Sequence, residues 1–227
     1  MERGFRGIAF FDVDHTLVRG STAFLCAPIL RREGILTRSD LVRIAWAHLR
    51  HHLGVLDAER VYAMGVRPFV GMSFDRGRGL LDEAFSVHVR PRVHVEGLRA
   101  MRDHRAAGEA VVLLSASSVY LLEHLADLVP LDGILAFRQQ VRDGRFIDDW
   151  DRPIPYGEHK ATLARRWAER HRIPLSACAF YSDSISDAPL LSAVGRPFAV
   201  NPDPRLRRMA RRRGWPILHW HRTLGSP

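Results

Sequence analysis

The stretch Ile8-Ala9-Phe10-Phe11-Asp12-Val13-Asp14-His15-Thr16 decides the fold of this 227-residue chain. A short apolar run of this kind predicts a buried strand, and open α/β sheets build their active sites at the carboxyl ends of such strands. Carboxylates beside a buried strand are costly unless they are paired, protonated or bound to a cation. The two aspartates therefore predict a functional site at the end of this strand.

A second apolar run followed by acids lies at residues 177–187, where Asp183 and Asp187 come after a predicted strand. Between the two acid clusters stand Ser115, directly after the apolar run 110–114, and Lys160, the only lysine among 34 basic residues. The flat guanidinium of arginine does not replace a compact ammonium at a tight phosphoryl site. A lysine in an otherwise arginine-only chain therefore favours a functional role, the alternative being chance on a helix surface.

Strand-like runs alternate with helical patterns outside residues 20–90, which favours a doubly wound, Rossmann-like α/β core with a parallel sheet. Asp143-Gly144 between alternating residues predicts a β-hairpin at 140–147. The predicted strands cover 8–12, 110–114, 134–136, 177–181, 197–200 and 215–218, and the predicted helices cover 94–107, 118–128 and 159–171.

Residues 20–90 have helical spacing and no strand pattern, which predicts a helical cap inserted into a core formed by 1–19 and 91–227. Thr37 and Asp40 resemble a capping box. Helix breaks are expected at three glycines, Gly71, Gly77 and Gly79. The apolar positions with helical spacing are Leu41, Val42, Ile44, Ala45, Leu49, Leu53, Val61, Met64, Phe69, Leu80, Leu81 and Phe85.

The order DxDxT, Ser, Lys and DSxxD resembles the haloacid dehalogenase-like phosphohydrolases, and the remaining pattern is most similar to their phosphoserine-phosphatase-like branch, subfamily IB. The resemblance implies that Asp12 is a nucleophile that forms an aspartyl-phosphate and that Asp14 is the general acid and base. It implies a Mg²⁺ cofactor held by Asp12, the Asp14 carbonyl and Asp183. It further implies that Thr16, Ser115 and Lys160 bind the phosphoryl group and that Asp187 orients Lys160 or a metal-bound water.

Several of these residues have plainer alternatives. Asp14 and Asp187 could cap helices, and Ser115 could cap the helix that follows it. His15 is interpreted as a residue that shapes the loop. Three cap histidines have metal-ligand spacing, yet we expect them to face solvent: His48, His51 and His52.

The pattern departs from phosphoserine phosphatases at two substrate-binding positions. Their glutamate for the substrate's amino group is replaced by Ser21, and their cap arginine for the carboxylate has no clear equivalent at 69–78. Without these charges a zwitterion would bind poorly. The substrate is therefore left open among small phosphomonoesters, histidinol phosphate and lysophospholipids.

The composition gives a net charge of +9 and a sequence pI near 10.8. The densest arginine cluster, residues 205–213, has the spacing of an amphipathic helix with a solvated face, so we expect no nucleic-acid partner and leave an anionic membrane surface open. The absence of a signal peptide pattern and the two buried, reduced cysteines, Cys26 and Cys178, indicate a cytoplasmic protein. The oligomeric state does not follow from the sequence.

The predicted function is a Mg²⁺-dependent phosphomonoesterase acting on a small phosphorylated metabolite. The alternatives are a lysophospholipid phosphatase and a non-catalytic protein that binds through its basic surface. Phosphonate cleavage of the usual kind needs a cap lysine, which residues 20–90 do not contain. Dehalogenation is disfavoured because the acids and Lys160 together suit phosphoryl transfer.

Overall fold

The core of the protein is a six-stranded parallel sheet, seen in a computed structural model that describes residues 4–40, 42, 43, 46 and 65–226. Its strands have the spatial order β3-β2-β1-β6-β7-β8, and β4 and β5 form a separate antiparallel hairpin. From β1 the following strands are added on one side of the sheet, and from β6 they are added on the other. The strand order therefore reverses between β1 and β6, and such a switch point is where these sheets bind ligands. The strands are β1 (Ile8–Phe11), β2 (Ala110–Ser118), β3 (Gly133–Phe137), β4 (Gln139–Arg142), β5 (Arg145–Trp150), β6 (Cys178–Ser182), β7 (Arg196–Val200) and β8 (Ile217–Leu218).

Helices cover the sheet and form the cap. They are α1 (Thr22–Arg32), α2 (Phe74–Ala84), α3 (Val95–Ala106), α4 (Val119–Leu122), α5 (Glu158–Arg170), α6 (Ala188–Ala193) and α7 (Pro204–Arg213). Strand β1 has helices on both faces, with Phe11 packing in one cluster with Met101 and Phe10 in the other with Trp167. Because both faces are buried, the strand reads as a continuous apolar run.

The predicted α/β fold with a doubly wound parallel sheet is confirmed. Most element ends agree within two residues, but β2 continues to Ser118 and the predicted helix 118–128 is wrong in part. Only Val119–Leu122 is α-helical there, and Glu123–Asp127 forms a 3₁₀ turn. The Asp143-Gly144 hairpin is present, and both residues have positive φ as its tight turn requires.

The expected helix break at Gly77 is wrong, because Gly77 and Gly79 both lie inside α2. A Cβ on Gly77 would come within 2.5 Å of the Phe146 ring. The glycine therefore serves a close approach between the helix and the β4–β5 hairpin. Gly71 does lie outside the helix, with a φ of +81°.

The capping box is confirmed, since the Asp40 amide donates to Thr37 Oγ1 at 3.1 Å and the Thr37 amide donates to Asp40 Oδ2 at 2.8 Å. Val42 is described and exposed. Other apolar positions expected on the helix after this box lie outside the described residues: Leu41, Ile44, Ala45, Leu49, Leu53, Val61 and Met64.

The β4–β5 hairpin packs on the segment that leads into α2. The amide of Phe74 donates to the Gly144 carbonyl at 2.8 Å, and the amide of Gly71 donates to the Phe146 carbonyl at 2.8 Å. The Phe146 ring also contacts Phe69 and Phe74. The hairpin belongs to the predicted core segment, yet it packs against residues of the predicted cap segment.

Helix α7 carries the arginine cluster on its outer face and buries Leu206 and Ala210, as its spacing predicts. Asp203 caps this helix by accepting from the amides of Arg205 and Leu206. Both cysteines are buried and free. Within the described part of the chain, no helix has the length and apolar character needed to cross a membrane.

Candidate active site

The two acid clusters meet at the switch point of the sheet. Strands β1 and β6 are adjacent and parallel, with Phe11 opposite Tyr181. Asp12 follows β1 directly, and Asp183 follows Ser182, the last residue of β6. Both acids therefore leave the sheet at the same edge. The Asp12 amide still donates to the Tyr181 carbonyl at 3.0 Å, which fixes the start of the first loop.

Lys160, on the first turns of α5, lies between two carboxylates. Its Nζ is 2.9 Å from Asp12 Oδ1 and 2.7 Å from Asp187 Oδ2. All three side chains are buried, with exposed fractions of 6% for Asp12, 4% for Lys160 and 1% for Asp187. The only lysine of the chain is thus placed inside the acid cluster.

The charges in this cluster shift one another. Burial raises the pKa of Asp12 to about 7, with Lys160 opposing the shift and Asp187 adding to it. Burial, followed by the charges of Asp12 and Asp187, holds the pKa of Asp183 well above its usual range. Burial alone would lower the pKa of Lys160, but the two carboxylates outweigh it and raise that pKa. Burial and the neighbouring carboxylates therefore oppose the ionisation of Asp12 and Asp183, and Lys160 favours it.

Asp187 is the most enclosed acid of the site. Its Oδ2 accepts from Lys160 and from the Ser182 hydroxyl at 2.6 Å, while its buried Oδ1 has no hydrogen-bond partner. Although Asp187 precedes α6, its side chain makes no capping bond to that helix. The capping alternative for Asp187 is therefore wrong.

Asp14 faces the cap. Its Oδ1 accepts from the amide of Thr22, the first residue of α1, at 3.0 Å and from the Ser117 hydroxyl at 3.0 Å. Ser21 Oγ lies 3.4 Å from its other oxygen. A carboxylate at a helix N-terminus is favoured by the exposed amides and the helix dipole. Asp14 thus does cap a helix, and it links the core loop to the first cap helix.

Thr16 lies fully buried below this loop. Its hydroxyl donates to Asp183 Oδ1 at 3.1 Å, so in this structure it holds an acid of the second cluster. The loop turns at His15, which has a φ of +58° and whose amide donates to the Gly20 carbonyl at 3.1 Å. The His15 side chain is exposed, which agrees with a shaping role.

Ser115 and Ser117 lie at the irregular end of β2, where pairing with β3 shifts between residues 115 and 118. The Ser117 amide donates to Ser115 Oγ, and Ser115 Oγ donates to Ser117 Oγ, both at 3.2 Å. Alternate residues of a strand share a face. This shared face brings Ser115 beside the serine that contacts Asp14.

Sequence reasoning missed three residues that hold the acids in place. Ser117 donates to Asp14, and Ser182 donates to Asp187. Asp203 Oδ2 accepts from the Ile185 amide at 2.7 Å, and its own amide donates to the Asp183 carbonyl at 2.9 Å. The sequence feature that could have identified such a residue is a polar side chain inside or directly after a buried strand, as for Ser182.

An apolar cavity of about 170 Å³ lies on the cap side of Asp14. Helix α1 supplies one wall with Phe24 and Cys26, and Leu81 comes from α2. The end of β2, the start of α4 and the β4–β5 hairpin complete the described lining. A reactant held at the acids would therefore extend into a space walled by α1, α2 and the hairpin.

The acids do not form a ready-made metal cluster, because no three His, Cys, Asp or Glu side chains converge within the described ranges. Asp12 and Asp183 are two carboxylates at one edge, and the Asp14 backbone carbonyl belongs to the same loop. Mg²⁺ is commonly bound through one or two carboxylates and keeps several waters. The three candidate histidines, His48, His51 and His52, lie outside the described residues.

Comparison with known proteins gives a consistent family match. The family model for haloacid dehalogenase-like hydrolases matches residues 9–192. The "inhibition of morphological differentiation protein" of Streptomyces azureus is 32% identical over 96% of this chain and 80% of its own length. A phosphoserine phosphatase of Mycobacterium tuberculosis is 33% identical over 92% of this chain and 69% of its own length.

A solved structure has nearly the same fold. The crystal structure of a protein of unknown function from Bordetella pertussis Tohama I superimposes with a TM-score of 0.84 at 29% identity. The match covers 94% of this chain and 98% of that protein.

Proposed function

This chain belongs to the haloacid dehalogenase-like hydrolase family, in its phosphoserine-phosphatase-like branch, and we propose that it is a Mg²⁺-dependent phosphomonoesterase. Its substrate is a small phosphorylated metabolite, and the reaction passes through an aspartyl-phosphate on Asp12. The observation that carries this proposal is the buried Asp12–Lys160–Asp187 arrangement beside Asp14 and Asp183.

Asp12 is the nucleophile. One of its carboxylate oxygens attacks phosphorus, the bond from phosphorus to the alcohol oxygen breaks, and an acyl phosphate forms on Asp12. A carboxylate nucleophile of this kind divides one difficult displacement into two easier ones. Lys160, 2.9 Å away, favours the ionised form of Asp12 that the attack requires.

Asp14 moves the protons in both steps. In the first it gives a proton to the departing alcohol oxygen, and in the second it takes one from the water that attacks the acyl phosphate. The water oxygen then bonds to phosphorus as the bond between phosphorus and the Asp12 oxygen breaks, which restores the Asp12 carboxylate and releases phosphate. Hydrogen bonds from Thr22 and Ser117 hold Asp14 in place on the alcohol's side of the site.

Bound Mg²⁺ fits the donor set. Asp12, Asp183 and Asp187 are opposed in this cluster by one ammonium, and the Asp187 Oδ1 is buried without a partner. The cation would be held by a side-chain oxygen of Asp12, the Asp14 carbonyl and Asp183, with Asp187 Oδ1 free to accept from a bound water. When bound, it would offset the repulsion between these carboxylates and the phosphate and stabilise charge in the transition state.

The remaining polar residues bind and orient. Ser115 and Lys160 would meet the phosphoryl oxygens, and Asp187 would orient Lys160. The family resemblance implies that Thr16 binds the phosphoryl group as well. Its hydroxyl donates to Asp183 here, so a positioning role toward that acid is the use its geometry supports.

We assign residues 1–19 and 91–227 to the catalytic core and 20–90 to the cap, with the β4–β5 hairpin of the core closing the cap side of the site. The partner is a small phosphomonoester in the cytoplasm. The basic face of α7 supports a non-catalytic binding function less well, because the full set of acids with Lys160 is present and packed together.

The test is phosphate release by the purified protein from p-nitrophenyl phosphate and a panel of metabolite phosphates, with Mg²⁺ and with a chelator. We expect release that requires Mg²⁺ and is lost in Asp12→Asn. The matched control is Asp103→Asn, an exposed carboxylate on α3. No release from any panel member with Mg²⁺ present would contradict the proposal, and salt-resistant nucleic-acid or liposome binding without activity would favour the binding function.

A further inference from the structure

We propose that the alcohol released by this enzyme is uncharged and about the size of a six-membered ring. This inference rests on the proposed function and specifies its substrate. The structural basis is the cavity beside Asp14. Its apolar walls, its volume and the hydrogen bonds already made by its polar side chains limit which alcohol it can hold.

The cavity lies on the leaving-group side. Asp14 lines it together with Ser21 and Thr22, which precede and begin α1. Since Asp14 protonates the departing oxygen, the carbon skeleton attached to that oxygen extends from Asp14 into this space. The chemistry of the cavity wall therefore selects the alcohol.

The wall is aromatic and aliphatic. Rings come from the cap, α4 and the hairpin, and aliphatic side chains from α1 and α2 fill the gaps between them. Among the described lining residues, Asp14 is the only one with a charged side chain. The apolar side chains that dominate the wall are Phe24, Leu30, Phe69, Leu81, Tyr120 and Phe146.

Four polar side chains of the wall already have hydrogen-bond partners. The Tyr120 hydroxyl donates to the Gln139 backbone carbonyl at 2.7 Å, and the Gln139 side-chain Nε2 donates to the Ile147 carbonyl at 3.0 Å. Thr22 Oγ1 and Ser117 Oγ lie 2.8 Å apart. A charged substituent would have to displace these bonds or lose its own hydration.

The two arginines of the segment 69–78, Arg76 and Arg78, are not part of the cavity lining. Arg76 lies 4.0 Å from Glu33 Oε2, and Arg78 donates to Asp82 at 3.1 Å and pairs with Glu123. A substrate carboxylate in the cavity would find no cation on the described walls. This disfavours O-phosphoserine.

The volume sets the size of the alcohol. About 170 Å³ is close to the roughly 150 Å³ apolar cavity that stays dry and binds benzene in an engineered protein. A ring or a short branched chain fills such a space. A long acyl chain would have to extend beyond this space.

The experiment compares kcat/KM for phosphate esters whose reactivity is matched and whose alcohol differs. The series contains ethyl phosphate, cyclohexylmethyl phosphate, O-phosphoserine and a palmitoyl lysophosphatidate. Acetyl phosphate, whose leaving group needs no apolar pocket, reports the catalytic centre alone. We expect cyclohexylmethyl phosphate to exceed ethyl phosphate and O-phosphoserine by about 10- to 100-fold.

A pair of variants ties this preference to the cavity. Phe24 lines the cavity and is 43% exposed, so Phe24→Ala removes a wall without opening the core. It should lower the ratio of kcat/KM for cyclohexylmethyl over acetyl phosphate by about tenfold. Val87→Ala, at an exposed residue outside the lining, should leave that ratio unchanged.

Each outcome decides between the two proposals. If acetyl phosphate is not hydrolysed, the proposed function fails and this inference falls with it. If acetyl phosphate is hydrolysed but O-phosphoserine or the lysophosphatidate is the best ester, only this inference is wrong. An unchanged ratio in Phe24→Ala would also overturn the assignment of the cavity.

Discussion

Lys160 Nζ lies 2.9 Å from Asp12 Oδ1, although one residue follows the first strand and the other belongs to a helix in the second half of the chain. The same ammonium contacts Asp187 at 2.7 Å. One cation thus joins the two loops that carry the acids. This contact links the stability of the core to the state of the nucleophile.

Replacing Lys160 should therefore affect both stability and turnover. Lys160→Met leaves Asp12 and Asp187 buried without a cation, and breaking a buried pair in this way costs about 3–5 kcal/mol. Urea unfolding at neutral pH measures that loss. The double variant Lys160→Met with Asp187→Asn should recover part of it, because one unpaired charge has then been removed.

Lys160→Arg should keep most of the stability, because a guanidinium also pairs with buried carboxylates. It should lose most of the turnover, because the planar fork does not place a compact charge at the phosphoryl group. If the unfolding free energy of Lys160→Met lay within about 1 kcal/mol of the wild-type value, Lys160 would not be the cation of a buried ion pair. A loss that small is typical of an exposed ion pair.

Asp14→Asn should spare the nucleophile and remove the proton donor. We expect kcat to fall by about 10²–10⁴ with KM little changed. Steady-state assays with an alkyl phosphate measure kcat and KM separately. An alkyl phosphate is the suitable substrate because its alcohol is a poor leaving group that must be protonated as it departs. Ser117→Ala, which removes one hydrogen bond to Asp14, should have a smaller effect in the same direction. A near-normal kcat in Asp14→Asn would assign proton transfer to another group.

Magnesium should stabilise the folded protein. At a concentration 100 times its Kd, a ligand of the native state adds about 2.7 kcal/mol, or roughly 5–10 °C in Tm for a chain of this size. Thermal unfolding with Mg²⁺ and with a chelator measures the shift. Asp183→Asn should abolish most of it, whereas Glu109→Gln, at the opposite end of the strands, should retain it. A full shift in Asp183→Asn would place the cation elsewhere.

Glu109 should make stability depend on pH. Burial opposes its ionisation, but hydrogen bonds from Arg196 and His104 outweigh burial and hold the pKa of Glu109 below its usual value of 4.5. A carboxyl with a lowered pKa stabilises the fold above its unfolded-state pKa, and that contribution is lost as the pH falls through the folded-state pKa.

Glu109→Gln should therefore be less stable than the wild type at neutral pH by about 1 kcal/mol, and the difference should shrink below pH 4.5. Chemical unfolding from neutral pH to about pH 3 follows this difference. Asp103→Asn, whose pair with Arg99 is highly exposed, is the control and should show no comparable trend. A difference that stays constant with pH would mean that Glu109 acts through packing alone.

The sequence was sufficient for the sheet and for the acids of the site. Both follow from local pattern, since buried parallel strands are continuous apolar runs and the ends of parallel strands meet at one edge of the sheet. Asp12 and Asp183 could be placed together for this reason. Lys160 was found through composition, because it is the only lysine in the chain.

The contacts that hold the acids could not be read in the same way. Ser117 and Ser182 look like ordinary strand-end serines, and their partners come from loops remote in sequence or from a turn whose path is not encoded by periodicity. The sequence alone predicts a helix break at Gly77, because the close packing that explains this glycine depends on Phe146, which belongs to a distant hairpin. Each of these depends on tertiary contacts.

The most direct test is covalent. The protein is exposed briefly to acetyl phosphate with Mg²⁺, treated with borohydride, which reduces an aspartyl-phosphate to homoserine, and digested for mass spectrometry. We expect homoserine at position 12 in the wild type and none in Asp12→Asn, with Asp14 and Asp183 unmodified in both. Continued phosphate release with no modification at Asp12, or near-normal turnover by Asp12→Asn, would contradict the nucleophile assignment and the mechanism built on it.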